Sequence, residues 1–588
     1  MSEERIPIFY ACDDNFVKYT AVSLSSMIAN AAGNEKYEVH VLNTNISEDM
    51  RAVLTDMQNE RFTVSFDDVS GYIESVEDRL PVRHYYTKTT YFRLFIADMF
   101  PQYDKVIYID SDTVVLGDIA ELYRTDLGDM LVGACSEQVM QQVEVYGRYC
   151  EEVVGVSRYS FFNAGLLLIN SAEWRRRNML EKFINCLIDY NFVVTQDEDY
   201  LNVICKDRVR RLDQRWNTEV SAGLEYPYDL KEAKILHFVM VNKPWHYAEC
   251  RCADVFWSYA DRTAMADLLR AELTSYTDGQ RERDRISCEH LKELAISEIE
   301  NPNNYRKIIN RTRRSADRVA VCERIAEYER AGRFDEDVED DPPSRTLMPD
   351  EIDYLRKSPL AKLKTFIAYR RAKKFLNYIT DREMMVIKEI RGLENLKKLD
   401  TGAVITCNHF NPFDTFAMHY AYLRSGQKRR KLYRVIREGN YTSFPGFYGY
   451  LMRNFYTLPL SSNLKTMKKF NDATERLLSE GNFVLVYPEQ SMWWNYRKPK
   501  PLKPGAFSIA ARAGVPVLPC FITMRDSDRL GEDGYPIQEY IINIGEPIYQ
   551  DSDLSHKAAV EDLMAKNSEV WKNIYEDFYA MPLRYAEE

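Results

Sequence analysis

The sequence predicts an α/β protein built from two domains. The chain has 588 residues, more than one hydrophobic core usually organises, because domains typically hold about 100 to 200 residues. In both halves, short apolar runs typical of strands alternate with helix-like segments, a pattern that favours parallel sheets. Between the halves, an acidic run beginning at Asp335 leads into Pro342 and Pro343, which prevents a helix from continuing. We therefore predict a domain boundary at this run.

The first domain is predicted to open with a buried strand at 6–11 and a helix at 19–30, followed by strands at 37–42, 62–66 and 106–109. Open parallel sheets bind ligands beyond the carboxyl ends of their strands, so residues just after 109 are of interest. Residues 254–332 are predicted to form a helical connector, because they combine charged residues with apolar residues at helical spacing. The apolar residues that carry this spacing are Leu291, Leu294, Ala295 and Ile299.

The second domain contains a predicted strand at 403–407 and a helix at about 415–423. It begins with a basic amphipathic segment at 356–374, in which leucine, isoleucine and phenylalanine alternate with lysine and arginine and no acid occurs. The basic residues are Arg356, Lys357, Lys362, Lys364, Arg370, Arg371, Lys373 and Lys374. Such a helix can lie on an anionic membrane surface. It can equally dock on the domain with a solvated basic face, and both interpretations stay open.

Composition limits the classes of function. The formal net charge of -12 argues against nucleic acid as a partner, since phosphate binding needs a basic face. The first five residues are polar, and nowhere do about 18 apolar residues run uninterrupted. The 11 cysteines are scattered, unlike those of a disulfide scaffold. We expect a cytoplasmic protein, peripheral on the inner face of the cell membrane. Its oligomeric state stays open.

Asp110 and Asp112 directly follow the strand predicted at 106–109. Two carboxylates separated by one residue can chelate a hard divalent cation, which neutralises the diphosphate of a nucleotide leaving group. Alone, the pair is weak support, because a strand that ends in solvent often carries acids.

The motifs around this pair resemble those of glycosyltransferase family 8, the retaining enzymes that include bacterial lipopolysaccharide galactosyltransferases and glycogenins. The resemblance covers residues 6–247 and implies a GT-A, Rossmann-like fold. Its six motifs occur in family order at 11–15, 90–94, 108–112, 162–166, 196–202 and 236–246. It implies that the site residues are Ala11, Asp13 and Asn15 for the nucleoside, Arg93, Asn163 and Ala164 for the donor, Lys243 for the diphosphate, Asp110, Asp112 and His237 for Mn²⁺ or Mg²⁺, and Asp197 and Glu198 for catalysis.

Two departures from the family pattern bear on sugar placement. Glu198 stands where some galactosyltransferases carry glutamine, and Met240 stands where glycine is common. A carboxylate near the anomeric carbon can act as a nucleophile or stabilise positive charge. The anomeric configuration of the sugar could therefore be retained either by double displacement or by front-face transfer, and both mechanisms stay open.

In the second domain, His409 and Asp414 lie in one predicted strand-to-helix turn. Such a pair supplies a general base whose orientation the carboxylate fixes. The chain here resembles the lysophosphatidic acid acyltransferase family over residues 363–546, through blocks at 408–414, 487–491, 503–507 and 515–519. The resemblance implies an α/β acyltransferase that uses acyl-CoA or acyl carrier protein. His409 would deprotonate the acceptor, Asp414 would orient the histidine, and Glu489 would help to place the acceptor.

The acyltransferase blocks also depart from the family pattern. Gln490 replaces a glycine, and Ser461 and Ser462 stand where an arginine that binds an acceptor phosphate is expected. Without an arginine that binds phosphate through two hydrogen bonds, we expect a glycerol phosphate acceptor less than a sugar hydroxyl or a neutral glycolipid. The aromatic run from Trp493 to Tyr496 would either line an acyl tunnel, touch the membrane interface or pack in the core.

We therefore predict a glycosyltransferase domain at 1–255, a helical connector with an acidic linker at 256–345, and an acyltransferase domain at 346–588. A fusion is useful when one enzyme handles the substrate or product of the other. The hypothesis is synthesis of an acylated glycolipid or surface saccharide from a UDP-hexose, an acyl thioester and a lipid or saccharide acceptor. Two alternatives stay open: an acyltransferase with an inactive first half, and a membrane-recruited scaffold without turnover.

Overall fold

A computed structural model describes residues 5–77, 89–339 and 344–586. By its internal contacts the chain divides into two units, Met1–Ile309 and Asn310–Glu588. This division falls inside the predicted connector. The predicted acidic linker lies partly outside the described residues, which omit 340–343. Among the described residues, no helix combines the length and the apolar character that a membrane crossing requires.

The first unit contains a large mixed sheet and a small one. Its strands are β1 (Arg5–Ala11), β2 (Lys36–Asn43), β3 (Phe62–Asp68), β4 (Val106–Ile109), β5 (Thr113–Val115), β6 (Val132–Ala134), β7 (Leu166–Ile169), β8 (Val209–Arg211), β9 (Thr218–Glu219) and β10 (Ile235–His237). Among the described residues, the large sheet has the order β3-β2-β1-β4-β7-β6-β8 and the small one the order β5-β10-β9. The strands predicted near residues 6, 37, 62 and 106 are confirmed.

The expectation of a parallel sheet is right for one part of the large sheet and wrong for another. β1 pairs in parallel with β2 and β4, whereas β7 runs antiparallel to β4 and β6. The chain re-enters the sheet at β7 from the edge where β4 ends, so that Ile109 pairs with Leu166. As a result, Gly165 lies next to Asp110, whose N–H donates to the Gly165 carbonyl at 2.8 Å. The reversal therefore brings two distant motifs together.

Helices cover both faces of the first unit. They are α1 (Val17–Asn30), α2 (Glu48–Thr55), α3 (Ser70–Glu77), α4 (Ile96–Met99), α5 (Ile119–Tyr123), α6 (Gln138–Gln142), α7 (Glu144–Tyr149), α8 (Ser171–Arg176), α9 (Met179–Asp189), α10 (Asp197–Ile204), α11 (Ala253–Ala260), α12 (Ala266–Ser275) and α13 (Asp278–Glu300). The next helix, α14 (Tyr305–Arg313), contains the division between the units. The helical spacing that predicted the connector at 254–332 is confirmed in α13, where Ala295 and Ile299 join the core that also contains Phe9 and Tyr149.

The second unit is built around a sheet of the strands β11 (Val386–Arg391), β12 (Ala403–Thr406), β13 (Leu432–Ile436), β14 (Thr457–Pro459), β15 (Phe483–Val486), β16 (Val517–Leu530) and β17 (Pro536–Ile544). Their order in the described part of the chain is β11-β17-β16-β12-β15-β13-β14. β16 and β17 are antiparallel, and β12 runs parallel to β15 and β16. The turn after β12 and the loop after β15 therefore lie at the same sheet edge.

The helices of the second unit are α15 (Ala316–Arg330), α16 (Pro359–Asp381), α17 (Leu393–Lys398), α18 (Asp414–Ser425), α19 (Glu438–Thr442), α20 (Gly446–Asn454), α21 (Leu464–Ser479), α22 (Gly505–Ala513) and α23 (His556–Tyr579). The predicted basic helix is confirmed as α16, which begins after the capping residue Ser358 with a proline at its first position. The helix predicted at 415–423 is confirmed as α18.

Candidate active sites

Three predicted cation ligands meet at the edge of the first unit's sheets. Asp110 and Asp112 lie between β4 and β5, and His237 ends β10, which pairs with β5 so that His237 faces Thr113. One ligand atom from each side chain lies within 4.8 Å of the others. His237 Nε2 is 3.2 Å from an Asp112 oxygen and 4.0 Å from an Asp110 oxygen. Two carboxylates and an imidazole nitrogen are a suitable donor set for a divalent transition metal.

The backbone around this cluster leaves room for the three ligands. A Cβ added to Gly165 would lie 2.3 Å from His237 Cε1 and 2.8 Å from Asp110 Oδ2. Both distances are too short for non-bonded atoms, so only glycine lets the ligands converge. The residues present therefore fit a divalent cation.

The Arg93 guanidinium contacts predicted site residues of three kinds: a cation ligand, a donor-binding residue and a catalytic acid. It is buried, and it donates to Asp110 Oδ1 at 3.0 Å and to the Ala164 carbonyl. Its Nε lies 3.3 Å from Asp197 Oδ2. Tyr108 also donates to Asp110, at 2.7 Å. Arg93 thus fixes Asp110 and Asp197 relative to each other.

Lys243 extends the cluster through Asp112, whose Oδ2 lies 2.6 Å from Lys243 Nζ. Burial tends to raise the pKa of Asp112, but the interactions with Lys243 and His237 outweigh burial and hold that pKa below its usual range. Asp112 is therefore ionised at neutral pH, as a cation ligand must be. Met240, in the loop between His237 and Lys243, adopts a left-handed backbone with φ 59°. Glycine adopts this conformation at little cost, which explains the family preference for glycine here.

Asp197 and Glu198 begin α10, and both are buried. Glu198 Oε2 accepts a hydrogen bond from the Ala164 N–H at 2.9 Å. Burial, followed by the nearby Glu137 carboxyl, raises the pKa of Glu198 well above its usual range. The two adjacent acids thus lie in different environments, since Asp197 pairs with Arg93 and Glu198 does not.

The predicted nucleoside-binding residues follow β1. Ala11 ends this strand, and the parallel register of β1 with β4 continues toward Asp110. Asp13 accepts from the Phe16 N–H at 3.1 Å just before α1, and Asp13 and Asn15 are exposed. These three residues lie at the same sheet edge as the cation ligands. Asn163 approaches that cluster through the Gly165 N–H, which its Oδ1 accepts at 2.8 Å.

In the second unit, His409 and Asp414 meet as predicted. His409 Nδ1 lies 2.6 Å from Asp414 Oδ2, which also accepts the Phe410 N–H at 3.2 Å. The Asp414 side chain is 1% exposed and that of His409 is 25% exposed. One face of the imidazole stacks on Tyr487, with ring centroids 4.3 Å apart. A buried carboxylate thus orients a histidine that is itself partly exposed.

Glu489 holds the turn that carries this histidine. Its two carboxylate oxygens accept the N–H groups of His409 at 3.0 Å and of Lys500 at 2.8 Å. It is 2% exposed, and burial raises its pKa above the usual range. These bonds place Glu489 behind the histidine as a support for the backbone. The role predicted for it in acceptor placement stays a prediction.

The two departures in the acyltransferase blocks have local explanations. Gln490 has φ 66°, a conformation that favours glycine. Its carbonyl accepts from Arg437 at 2.8 Å. Ser461 and Ser462, which replace an expected arginine, both donate from their hydroxyls to the Glu438 carboxylate, at 2.6 and 3.0 Å. A fixed negative charge therefore stands where the resemblance implies a positive one.

The environment of Trp493 bears on the three alternatives for the aromatic run: an acyl tunnel, the membrane interface or core packing. It is fully buried, and it packs with Ile325 and Val338 from the segment that precedes α16. Its Nε1 donates to the Glu336 carbonyl at 2.8 Å. Of the alternatives considered for this residue, the structure favours core packing.

Comparison with known proteins agrees with both clusters. Residues 7–249 match the family model for glycosyl transferase family 8, and residues 388–523 match the family model named Acyltransferase. The chain therefore joins a family 8 glycosyltransferase to an acyltransferase. The matched ranges contain the cation ligands of the first unit and the His409–Asp414 pair of the second.

Several relatives of the glycosyltransferase unit are known. General stress protein A of Bacillus subtilis is 28% identical over 267 residues, which cover 42% of this chain and 88% of that protein. A lipopolysaccharide 1,2-glucosyltransferase of Escherichia coli is 24% identical over 43% of this chain and 77% of its own length. A lipopolysaccharide 1,3-galactosyltransferase of Salmonella typhimurium is 27% identical over 41% and 74%, respectively. The relatives include enzymes named for different hexoses, so the similarity leaves the sugar open.

The sequence analysis of the glycosyltransferase missed three polar residues that contact its predicted site residues. Tyr108 donates to Asp110, Asn217 contacts His237, and Glu137 accepts from Asn163. Tyr108 stood inside a recognised motif, and its position two residues before Asp110 could have suggested a contact. Asn217 and Glu137 lie outside the six motifs, and no local pattern marks either of them.

Proposed function

We propose that the protein transfers a hexose from a UDP-sugar, with retention of configuration, and an acyl group from acyl-CoA or acyl carrier protein to a hydroxyl group. The product would be an acylated glycolipid or an acylated surface saccharide. The observation that carries this proposal is that each unit holds its own reactive cluster. The first has three cation ligands beside Lys243, and the second has the His409–Asp414 pair.

For the glycosyl transfer, Asp110, Asp112 and His237 would hold Mn²⁺ or Mg²⁺. A bound cation supplies charge neutralisation for the departing diphosphate. Lys243, which now pairs with Asp112, would contribute its positive charge to the same group. Asp197 is kept next to Arg93 and is the better candidate for a charged group beside the anomeric carbon. Both routes to retention remain compatible with this arrangement.

For the acyl transfer, His409 Nε2 would take the proton of the acceptor hydroxyl while its oxygen attacks the thioester carbonyl. The carbon–sulfur bond then breaks, the acyl–oxygen ester forms, and the proton passes to the departing thiolate. Asp414 stabilises the imidazolium that forms between these steps. Burial of Asp414 strengthens this effect, because water does not screen the pair.

The acceptor is proposed to be uncharged at the group that approaches Glu438. Two serine hydroxyls and the Leu347 N–H at 2.6 Å converge on this carboxylate. Burial tends to raise its pKa, but these hydrogen bonds outweigh burial and hold the pKa below its usual range. A phosphate placed here would be repelled. A sugar hydroxyl or a neutral glycolipid would meet an acceptor of hydrogen bonds.

The membrane surface is proposed as the source of the lipid. One face of α16 is buried through Ala368, Ala372 and Leu376. The other exposes large apolar side chains that are 40 to 61% accessible, namely Leu360, Leu363, Phe366 and Ile367. The six basic residues of α16 are all exposed as well. Exposed apolar residues flanked by lysine and arginine suit insertion into an anionic lipid surface.

Liposome flotation tests this surface. We expect the wild-type protein to float with vesicles that contain phosphatidylglycerol and to float poorly with purely zwitterionic vesicles. A Leu363→Ser/Phe366→Ser variant should lose most of the binding. Leu530→Ser is a matched control, because Leu530 is 61% exposed on β16 and lies outside α16. Equal flotation of the wild type and the double variant would contradict the proposal.

Turnover assays test the two reactions together. Purified protein is incubated with Mn²⁺, a panel of UDP-sugars, an acyl-CoA and a lipid extract, while the release of UDP and of free thiol is recorded. We expect Asp112→Ala to abolish only UDP release and His409→Ala to abolish only thiol release. If no sample releases UDP, while thiol is released by the wild type and not by His409→Ala, the result would support the alternative of one active acyltransferase. If neither product forms with acyl-CoA or with acyl carrier protein, the scaffold alternative replaces the enzyme.

A further inference from the structure

A row of buried polar side chains leads away from His237 on the side of its Nδ1 atom. Asn217 Oδ1 lies 3.1 Å from His237 Nδ1, and Asn217 Nδ2 lies 2.8 Å from Asn163 Oδ1. Asn163 Nδ2 in turn donates to Glu137, which also accepts the Val139 N–H at 3.1 Å. His237 and its three successive partners are at most 6% exposed. Side chains this deeply buried seldom change their hydrogen-bond partners.

A backbone group determines the direction of every hydrogen bond in this row. The Gly165 N–H can only donate, and the amide atom of Asn163 that accepts it at 2.8 Å is therefore the oxygen. Asn217 approaches the same oxygen and must present its NH₂ group to it. The oxygen of Asn217 then faces His237, and an amide oxygen only accepts. His237 Nδ1 consequently carries a hydrogen, and in the neutral imidazole Nε2 is the nitrogen with the free lone pair.

The lone pair of Nε2 is directed to the two aspartates. Its distances to their nearest oxygens are 3.2 and 4.0 Å. Three groups rich in electrons would repel one another here, and a cation between them reverses the sign of that interaction. The other tautomer of His237 would point a hydrogen into this space and could not ligate a metal.

We propose that Asn217 is a positioning residue, which keeps His237 in the tautomer whose Nε2 binds a divalent cation. Asn163 and Glu137 complete the row and fix the orientation of the Asn217 amide. This inference rests on the proposed cation site, but it concerns a residue for which the sequence motifs imply no role. An amide suits this position because it orients the imidazole without the negative charge that would favour imidazolium, a form that cannot bind metal.

The test measures Mn²⁺ binding to the full-length protein without donor substrate, by electron paramagnetic resonance titration. Asn217→Leu keeps the branching of the side chain at Cγ and removes the acceptor for Nδ1–H. We expect its Mn²⁺ affinity to fall about 10- to 100-fold, the usual effect of removing a partner of a metal-bound histidine. Asn217→Asp keeps an acceptor and should bind Mn²⁺ within about threefold of the wild type, although its loss of the bond to Asn163 should lower thermal stability.

A second readout reports His237 directly. With ¹⁵N-labelled histidine, pulsed resonance spectra of bound Mn²⁺ show coupling to a coordinated nitrogen. This coupling should persist in the wild type and Asn217→Asp and disappear in Asn217→Leu and in His237→Gln. If Asn217→Leu does not fold, judged by thermal unfolding, Asn217→Ala removes the same acceptor without added bulk and carries the same expectation.

The outcomes separate this inference from the cation site itself. If His237→Ala binds Mn²⁺ like the wild type, the cation site is wrong and the role of Asn217 is overturned with it. If His237→Ala loses Mn²⁺ but folded Asn217→Leu or Asn217→Ala retains it, only the role of Asn217 is overturned. Equal losses in Asn217→Asp and Asn217→Leu would also overturn it, because the acceptor for Nδ1–H would then be irrelevant.

Discussion

Asp414→Asn changes the charge and the hydrogen-bonding capacity of one buried group in the acyltransferase unit. In the wild type, Asp414 Oδ2 accepts both the His409 Nδ1–H at 2.6 Å and the Phe410 N–H at 3.2 Å. Because both donors meet at one oxygen, an asparagine whose carbonyl oxygen takes the place of Oδ2 keeps both hydrogen bonds and loses only the negative charge. The Phe410 N–H, which cannot move its hydrogen, holds the oxygen in that place. The imidazole keeps its hydrogen on Nδ1, but no charge then stabilises the imidazolium that forms when Nε2 acts as a base.

The expected loss follows from the missing charge. A hydrogen bond to a charged group contributes about 1.5 to 3 kcal/mol, which corresponds to roughly a 10- to 150-fold change in rate. The same substitution in a serine protease triad lowers kcat by about 10⁴, but there it also reverses the tautomer of the histidine. We therefore expect thiol release by Asp414→Asn to fall about 10- to 150-fold. The variant should fold, because aspartate and asparagine have nearly the same volume.

The assay records free thiol from an acyl thioester with saturating acceptor. UDP release by the other unit serves as an internal control for protein quality and should not change. Asp562→Asn is a matched variant on α23, since Asp562 pairs only with Lys566 in its own helix. Thiol release by Asp414→Asn within about fivefold of the wild type would refute the argument, because the loss expected from the missing charge would then be absent.

Three further predictions concern other parts of the chain. Gly165→Ala should lower Mn²⁺ affinity at least about tenfold in a resonance titration, because its Cβ would stand 2.3 Å from the His237 ring; unchanged affinity would contradict the geometry. Burial raises the pKa of Asp199 to about 7, so the folded state binds more protons between about pH 4 and 7 and loses stability as pH rises. Asp199→Asn should therefore have a higher free energy of unfolding than the wild type at pH 8, by up to about 4 kcal/mol. At pH 4 its thermal unfolding should show no gain in stability. A chain begun at 346 should be less stable than one begun at 310 by about 3 to 5 kcal/mol in urea unfolding, because Trp493 loses the residues that cover it; equal midpoints would show that this cover is dispensable.

The sequence was most informative where one strand or one motif determines the local structure. The apolar runs at 6–11 and 106–109 became β1 and β4, and the basic segment became α16. Antiparallel pairing of β7 was not predictable, because its four residues are apolar on both faces and a short buried run carries no sign of direction. That pairing is nevertheless what brings Gly165 beside Asp110.

Among the candidate site residues, those in compact motifs were likewise predictable and those that depend on distant contacts were not. Asp110, Asp112 and His237 were found because their motifs are compact and their residue types have specific chemistry. Asn217 was not, because an asparagine in a short helical turn is common and its partner stands 20 positions away. The residues that cover Trp493 lie in the predicted helical connector, for Ile325, and in the predicted acidic linker, for Val338. Composition describes the solvent-facing residues of such segments and not the few apolar ones that pack.

The two units orient a histidine by the same means and obtain different chemistry from it. In each, a partner accepts the Nδ1 hydrogen and leaves Nε2 for the reaction. The partner of His237 is an amide, and the partner of His409 is a carboxylate. A carboxylate stabilises the imidazolium that a general base forms, whereas the partner of a metal ligand has only to hold the hydrogen on Nδ1, which an amide oxygen does as well. The aspartates near His237 instead lie on the Nε2 side, where a cation would be shared among them. The groups on the Nε2 side therefore distinguish the proposed ligand from the proposed base.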